Sequence, residues 1–251
     1  MNAAVAGVRP STPTTAQQHA VESLRRLIVA GALRPGQRVN QEDVAEQVGL
    51  SVAPVREALR VLEQEGQVTY LPRRGYFVTE LRIDDLREIY ALRQVLEERA
   101  ARHALPTLDD DALQRIAQAA KDCVDAAETG DVAGELEANR RFHFALLDAP
   151  DQPHAMRLIR LLWDSTEAYR AMYYNSPVER RESVVAHDRI LEATRDRDAD
   201  RLVRELDAHR ARALDVLGNV LSGSPSGPPD GPRPGPRRGS ASSPAASRRD
   251  P

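Results

Sequence analysis

Apolar positions in the first 80 residues repeat at helical spacing in three stretches and then change to alternation. Val21, Leu24, Leu27 and Ile28 share one face of a helix that ends near Gly31, and Pro35-Gly36 predicts a turn. Asn40 is a suitable N-cap for a short helix carrying Val44, Ala45 and Val48, which Gly49 terminates. Ser51 opens a third helix, with Pro54 tolerated in its first turn, Val55, Leu59 and Leu62 as its buried stripe and Gly66 at its end. Two short alternating runs follow, Gln67–Leu71 and Tyr76–Thr79, around Pro72-Arg73-Arg74-Gly75. Three helices and a β-hairpin over residues 15–80 form a winged helix-turn-helix pattern.

Residues 82–221 show helical periodicity and no convincing strand. Six helices are predicted, at about 84–104, 108–129, 132–148, 154–174, 178–195 and 199–221, with joints at Asp84, Thr107 or Asp109, Asp131, Pro150–Pro153 and Ser176-Pro177. The expected fold is mostly α: an N-terminal winged helix-turn-helix of three helices plus a β-hairpin, followed by an all-α six-helix bundle. Residues 1–14 lack periodicity. Residues 222–251 are rich in Pro, Gly, Ser and Arg, and both ends are expected to be disordered tails.

Composition sharpens this picture in three ways. First, the 251 residues are 41% hydrophobic but only 4% aromatic, which favours helices over a β-sandwich. Second, no run of about 18 apolar residues exists to span a membrane, the first residues lack a secretory pattern, and Cys123 is the only cysteine; a cytoplasmic protein is expected. Third, the net charge of −3 is unevenly spread. Residues 1–80 hold nine Arg against eight acidic residues, residues 81–221 hold 21 basic against 28 acidic, and residues 222–251 hold five Arg against two acidic. Affinity for nucleic acid therefore has to come from local placement of arginine. Lys121 is the only lysine, so the choice of Arg over Lys carries little information.

That placement is found in the first segment. With Val55, Leu59 and Leu62 turned inward, Ala53, Arg56 and Arg60 lie toward the opposite side of the third helix, where an arginine can offer two parallel donors to guanine or clamp a phosphate. Ser51 and the helix N-terminus add donors suited to phosphate. Arg73 and Arg74 beside flexible Gly75 suit a wing lying along the backbone or minor groove. The expected partner is double-stranded DNA.

In the second segment three of the six histidines fall on apolar helix faces. His143 lies with Leu136, Leu146 and Leu147, His187 with Val184, Ile190 and Leu191, and His209 with Leu202, Leu206, Ala213 and Val216. Buried imidazoles need partners for both nitrogens. Separate hydrogen bonds would provide them, and so would one shared metal ion with Asn139, a helical turn before His143, as an oxygen ligand. Pattern alone leaves both open. Arg93 also falls on an inward face, and either Glu97 or a small carboxylate effector would balance it. Tyr169, Tyr173 and Trp163 stand at helical spacing and are candidates to line the effector cavity, or ordinary packing.

The stretch GALRPGQRVNQEDVAEQVGLSVAPVREALRVLEQEGQVTYLPRRGYFV resembles the DNA-binding domain of the GntR family of bacterial transcription regulators. PVREALRVLEQEG followed by PRRG is its most specific part. The family commonly has Ser-Arg where this chain has Ser51-Val52, which implies a missing DNA contact and an altered operator or affinity. The second half resembles the FCD effector-binding domain of the FadR subfamily, in its smaller VanR-like form. That resemblance implies a divalent ion, zinc or nickel, held by an Asp-x-x-x-His pair and two later histidines. Asn139, His143, His187 and His209 occupy those positions, with Asn in place of Asp; the Asn-Pro that usually follows is replaced by APDQPHAM. It further implies an organic-acid effector near Arg93, and a homodimeric repressor on a short inverted-repeat operator. The rival class is a metal-dependent helical-bundle enzyme, but the chain has no HExxH and no paired Glu-x-x-His.

Overall fold

The computed structural model describes residues 15–148 and 151–222, so both tail assignments, apart from Ser222, lie outside the described residues. The N-terminal unit is built from α1 (Ala16–Val29), α2 (Gln41–Val48), α3 (Val52–Gln64), β1 (Val68–Leu71) and β2 (Gly75–Val78). Thr15 and Gln18 form a reciprocal capping box at the start of α1, and the Asn40 side chain accepts the Glu42 N–H at the start of α2. Gly49 closes α2 with φ 69°, a left-handed conformation that glycine adopts without steric cost. Val55, Ala58, Leu59 and Leu62 of α3 are fully buried against Leu24 and Ile28 of α1. Truncating a side chain such as Leu59 to Ala at such a site costs about 2–5 kcal/mol.

The hairpin is antiparallel, with Val68 opposite Val78 and Leu71 opposite Gly75. Its turn places Pro72 ahead of Arg73, whose φ is 65°, and the Arg74 N–H returns to the Leu71 carbonyl at 3.0 Å. Proline followed by a positive φ is the type II turn pattern.

The second unit contains α4 (Ile83–Ala104), α5 (Asp110–Thr129), α6 (Val132–Leu147), α7 (Pro153–Ser165), α8 (Glu167–Tyr174), α9 (Pro177–Arg195) and α10 (Ala199–Leu221). The sequence predicts six helices here, and the structure has seven among the described residues. The single helix expected at 154–174 breaks at Thr166. The Ser165 and Thr166 hydroxyls both bond back to the Leu162 carbonyl, at 3.0 and 3.2 Å, and Thr166 also to the Trp163 carbonyl. Such back-bonding bends helices, and the Arg170 guanidinium takes up the Trp163 carbonyl at 3.0 Å. No Pro or Gly marks this break in the sequence.

The main core of this unit gathers Phe142, Leu146, Leu147, Ile159, Trp163 and Ile190. The two units meet at α8 and the linker. The Leu81 N–H donates to the Tyr169 hydroxyl at 2.6 Å, and Ala168 packs against the N-terminal core. A side chain on Gly66, at the end of α3, would reach within 3.3 Å of Ser165. Among the described residues, no helix is long and apolar enough to cross a membrane.

Candidate functional site

The first candidate surface is the outer side of α3 with the wing. Ser51 stands at the N-cap position of α3 with extended backbone and no side-chain cap hydrogen bond, so its hydroxyl stays available at an exposed helix start. Ala53, Arg56 and Arg60 are exposed on the side of α3 away from its buried stripe. The Arg56 Nε meets the Gln41 Oε1 at 3.3 Å, a long contact that leaves the guanidinium tip open. Arg60 pairs with Glu57 at 3.1 Å with both side chains more than half exposed, so the pair is worth little. Arg73 and Arg74 are exposed at the wing tip, and the Arg74 guanidinium lies 5.1 Å from the centroid of Phe77.

Arg38 is a basic residue of this surface that sequence reading missed. It pairs with Phe77 by a backbone bridge, and its Nε lies 3.9 Å from where a Gly75 side chain would begin. Gly75, with φ 89°, leaves that space open. Arg38 belongs to a turn by local pattern, and only the non-local pairing with β2 carries it to the wing.

The second site lies inside the helical unit. α6 supplies Asn139 and His143 one turn apart, α9 supplies His187 and α10 supplies His209. The structure brings the three histidines together: their ligand atoms all lie within 4.8 Å of one another, and ring centroids are 5.0–5.3 Å apart. His143 and His187 are buried. Among the described residues, Asn139 Oδ1, His143 Nδ1, both His187 ring nitrogens and His209 Nδ1 are buried without a hydrogen-bond partner.

Burial, then the neighbouring imidazoles and guanidinium groups, holds His143 well below the ordinary imidazole range. Burial and His209 do the same to His187, and burial with Arg93 and Arg210 lowers His209 to about 4. The rings are neutral at pH 7, the state in which imidazole ligates a metal. Orphaned nitrogens, neutral rings and a nearby amide oxygen fit a divalent ion that accepts nitrogen and oxygen donors.

Beside the histidines is a cavity of about 30 Å³, lined by Arg93, Trp163, Arg170, Tyr173, His209 and Arg210 among others. Arg93 does have an internal partner: its Nε donates to Glu97 Oε1 at 2.8 Å. Trp163 Nε1 donates to the same oxygen at 2.7 Å, and Arg210 Nη1 to Glu97 Oε2 at 2.6 Å. Burial pushes the Glu97 carboxyl up, but Arg93 and Arg210 outweigh it and hold the group below the usual carboxylate range. The Arg93 and Arg170 guanidinium groups lie 4.3 and 4.4 Å from the Trp163 ring centroid. Burial, with repulsion from Arg93 and Arg140, lowers Arg170 to about 10, and its Nε is unpaired.

Two buried guanidinium groups, Arg93 and Arg210, thus converge on one fully buried carboxylate, and a third, Arg170, lies against the Trp163 ring beside them. Sequence reading offered Glu97 as one of two partners for Arg93, and the structure pairs them; it missed Arg170 and Arg210, because with arginine replacing lysine almost everywhere, residue type does not distinguish buried cations from surface ones. Tyr173 lines the cavity, whereas Tyr169 is placed elsewhere. Its hydroxyl faces the linker and accepts the Leu81 N–H.

Comparison with known proteins follows this division. Residues 16–78 match the family described as bacterial regulatory proteins, gntR family, and residues 88–212 match the FCD domain. The chain is 30% identical over 200 residues to the Nta operon transcriptional regulator of Aminobacter aminovorans, covering 79% of this chain and 92% of that protein. It is 27% identical over 210 residues to the uncharacterized HTH-type transcriptional regulator YdhC of Bacillus subtilis, covering 83% and 94%. The solved structure of E. coli McbR/YncC superposes with a TM-score of 0.71 at 26% identity, covering 81% of this chain and 97% of that one.

Proposed function

The chain belongs to the GntR family of bacterial transcription regulators and carries an FCD domain, and from that premise we propose a ligand-gated repressor. The relatives named above are regulators, which sets the metalloenzyme alternative aside. A homodimer places two copies of the α3–wing surface on a short inverted repeat, since two-fold protein symmetry matches two-fold operator symmetry. Ser51, Ala53, Arg56, Arg60, Arg73, Arg74 and Gly75 form the contact surface, with Arg38 beside the wing. Working on DNA, the protein acts in the cytoplasm.

Asn139, His143, His187 and His209 would hold a divalent ion, zinc or nickel, which supplies positive charge and open coordination positions to a carboxylate. Arg93, Arg170 and Tyr173 face the same cavity and orient a small organic acid there. The observation that carries this reading is the set of buried ring nitrogens without partners beside a surplus of buried cations. A cavity of about 30 Å³ holds little more than water. An acid therefore enters only as the walls move, and α8 is the wall that also reaches the DNA-binding unit. Arg170 and Tyr173 lie on its cavity side, and Ala168 and Tyr169 on the side of the linker and α1. A ligand shifts DNA affinity by as much as it prefers one α8 position over the other.

The test is elemental mass spectrometry of the purified protein, then DNA titration over its own promoter with mono-, di- and tricarboxylates. One ion per chain and an acid-dependent change in affinity are expected. Absence of stoichiometric metal together with indifference to every acid would overturn the reading.

A further inference from the structure

A cavity far larger than the one beside the histidines lies between the two units, at about 860 Å³ against about 30 Å³. Its walls come from the end of α1 (Ile28, Val29), the linker (Leu81), the start of α6 (Val132), α8 (Met172) and the last residue of α10 (Leu221). It is therefore a mainly apolar cleft. Size, an apolar lining and a place between two units are what small-molecule sites share. Helix α8 is the wall common to both cavities: Arg170, Tyr173 and Tyr174 line the histidine side, and Ala168, Tyr169, Ala171 and Met172 line the cleft. The tie between Tyr169 and Leu81 is thus part of the cleft wall.

The charged groups of the cleft stand at its rim. Arg26 and Arg34 are both exposed there; Arg26 Nη2 donates to the Ser23 hydroxyl at 3.0 Å, and among the described residues neither guanidinium is paired with a carboxylate. Glu80 is the one acidic residue among those lining the cleft. Its carboxylate lies over Gly36, 2.9 Å from where a side chain there would begin. The rim therefore carries a surplus of one positive charge over apolar walls. A cation would meet two guanidinium groups, whereas a single anionic head would complete them.

We infer that this cleft is a second ligand site, for an amphiphilic monoanion: an apolar body of one or two rings against Tyr169 and Met172, and an anionic head at the rim with Arg26 and Arg34. It is separate from the histidine cluster and needs no metal. Because its walls come from both units, a bound molecule holds them in one relative placement. Because α8 bounds both cavities, a ligand in the cleft and an acid at the histidines alter each other's affinity reciprocally. That last consequence rests on the acid reading above; the site itself does not.

Two dyes with the same apolar body test it on the full chain. 8-Anilinonaphthalene-1-sulfonate is an anion and N-phenyl-1-naphthylamine is neutral, and both brighten in apolar surroundings. The anion is expected to bind once per chain, more tightly than the neutral dye, and equally well after treatment with a chelator. Ala133→Trp sets an indole into the cleft from an exposed position on α6 and should abolish binding of both dyes. The double variant Arg26→Ala, Arg34→Ala should weaken the anion about tenfold and leave the neutral dye unchanged. Circular dichroism checks that each protein is folded. Anion binding that Ala133→Trp leaves intact, that the double variant leaves at full strength, or that a chelator removes from folded protein would overturn the site. Failure of the metal and acid tests above would leave these results standing.

Discussion

The Arg210 guanidinium on α10 reaches the Glu97 carboxylate on α4 at 2.6 Å, tying the first and last helices of the effector unit through a single buried acid. Arg93 and Trp163 converge on the same carboxylate. Removing one partner of a buried ion pair leaves its counterpart charged and uncompensated, at about 3–5 kcal/mol. Glu97→Ala is expected to lose that much stability in urea titration, whereas Glu97→Gln, which keeps an acceptor for Trp163, loses less. An unchanged urea midpoint in the alanine variant would remove Glu97 from the centre of the network.

Tyr169 and Leu81 make the corresponding tie between the two units. Tyr169→Phe removes the hydroxyl that accepts the Leu81 N–H and leaves that donor unpaired, a loss of about 1–3 kcal/mol. The cost should appear as faster protease cleavage within residues 79–82, with metal content unaffected. If acid binding is transmitted through α8, the acid-dependent change in DNA affinity should shrink in the same variant.

Glu135 offers a pH test. It is fully buried on α6, neither oxygen has a hydrogen-bond partner among the described residues, and Arg180 Nε is 4.0 Å away. Burial raises its carboxyl from 4.5 to about 7, with Arg180 pulling the other way. Between those values the folded state holds a proton that the unfolded chain releases, so this group's contribution to stability is full below 4.5 and is lost as pH rises through 7. Glu135→Gln should match wild type at pH 5 and exceed it at pH 8. Comparing the variant with wild type at each pH cancels the buried histidines, whose lowered values act in the opposite direction. Equal stability of the two proteins at pH 8 would refute the raised value.

On the DNA side, Arg56 and the wing arginines separate by salt dependence. Arg56→Ala should weaken operator binding by roughly 1–3 kcal/mol and relax sequence preference, whereas Arg73→Ala or Arg74→Ala should weaken all DNA similarly and reduce the salt slope by about 1. Gel-shift titration at several salt concentrations distinguishes the two patterns. If Arg56→Ala keeps full sequence discrimination, base reading lies elsewhere on α3.

The parts legible in the sequence are those fixed by local chemistry. The Asn40 cap, the Gly49 stop and the apolar stripe of α3 each act within a few residues, and the helix-turn-helix follows from them. The meeting of His143, His187 and His209 was legible only in part: each interrupts an otherwise apolar stripe, which turns it inward, and it was the resemblance to the FCD domain that implied one shared site. What was not legible depends on tertiary partners. The break at Thr166 uses ordinary Ser and Thr hydroxyls that elsewhere sit in unbroken helices. Arg38 joins the wing through a bridge to Phe77, and Tyr169 leaves the cavity because its hydroxyl takes the Leu81 N–H of the linker.

The histidine cluster gives the sharpest test of the effector unit. Replacing His187 and His209 with Ala removes two of the three imidazole donors while leaving α3 and the wing untouched, so bound metal and acid response should vanish while DNA binding in the absence of acid stays within about twofold. Both rings are neutral and lack hydrogen-bond partners on at least one nitrogen, so their loss removes few hydrogen bonds. Asn139→Asp should act in the opposite direction: a carboxylate in place of the orphaned amide oxygen adds a negative charge, and the ion should resist a chelator longer than in wild type. Mass spectrometry after timed chelator exposure reads both variants. Stoichiometric metal persisting in the double-alanine protein would place the ion at other residues, and faster loss from Asn139→Asp would put that side chain outside the coordination sphere.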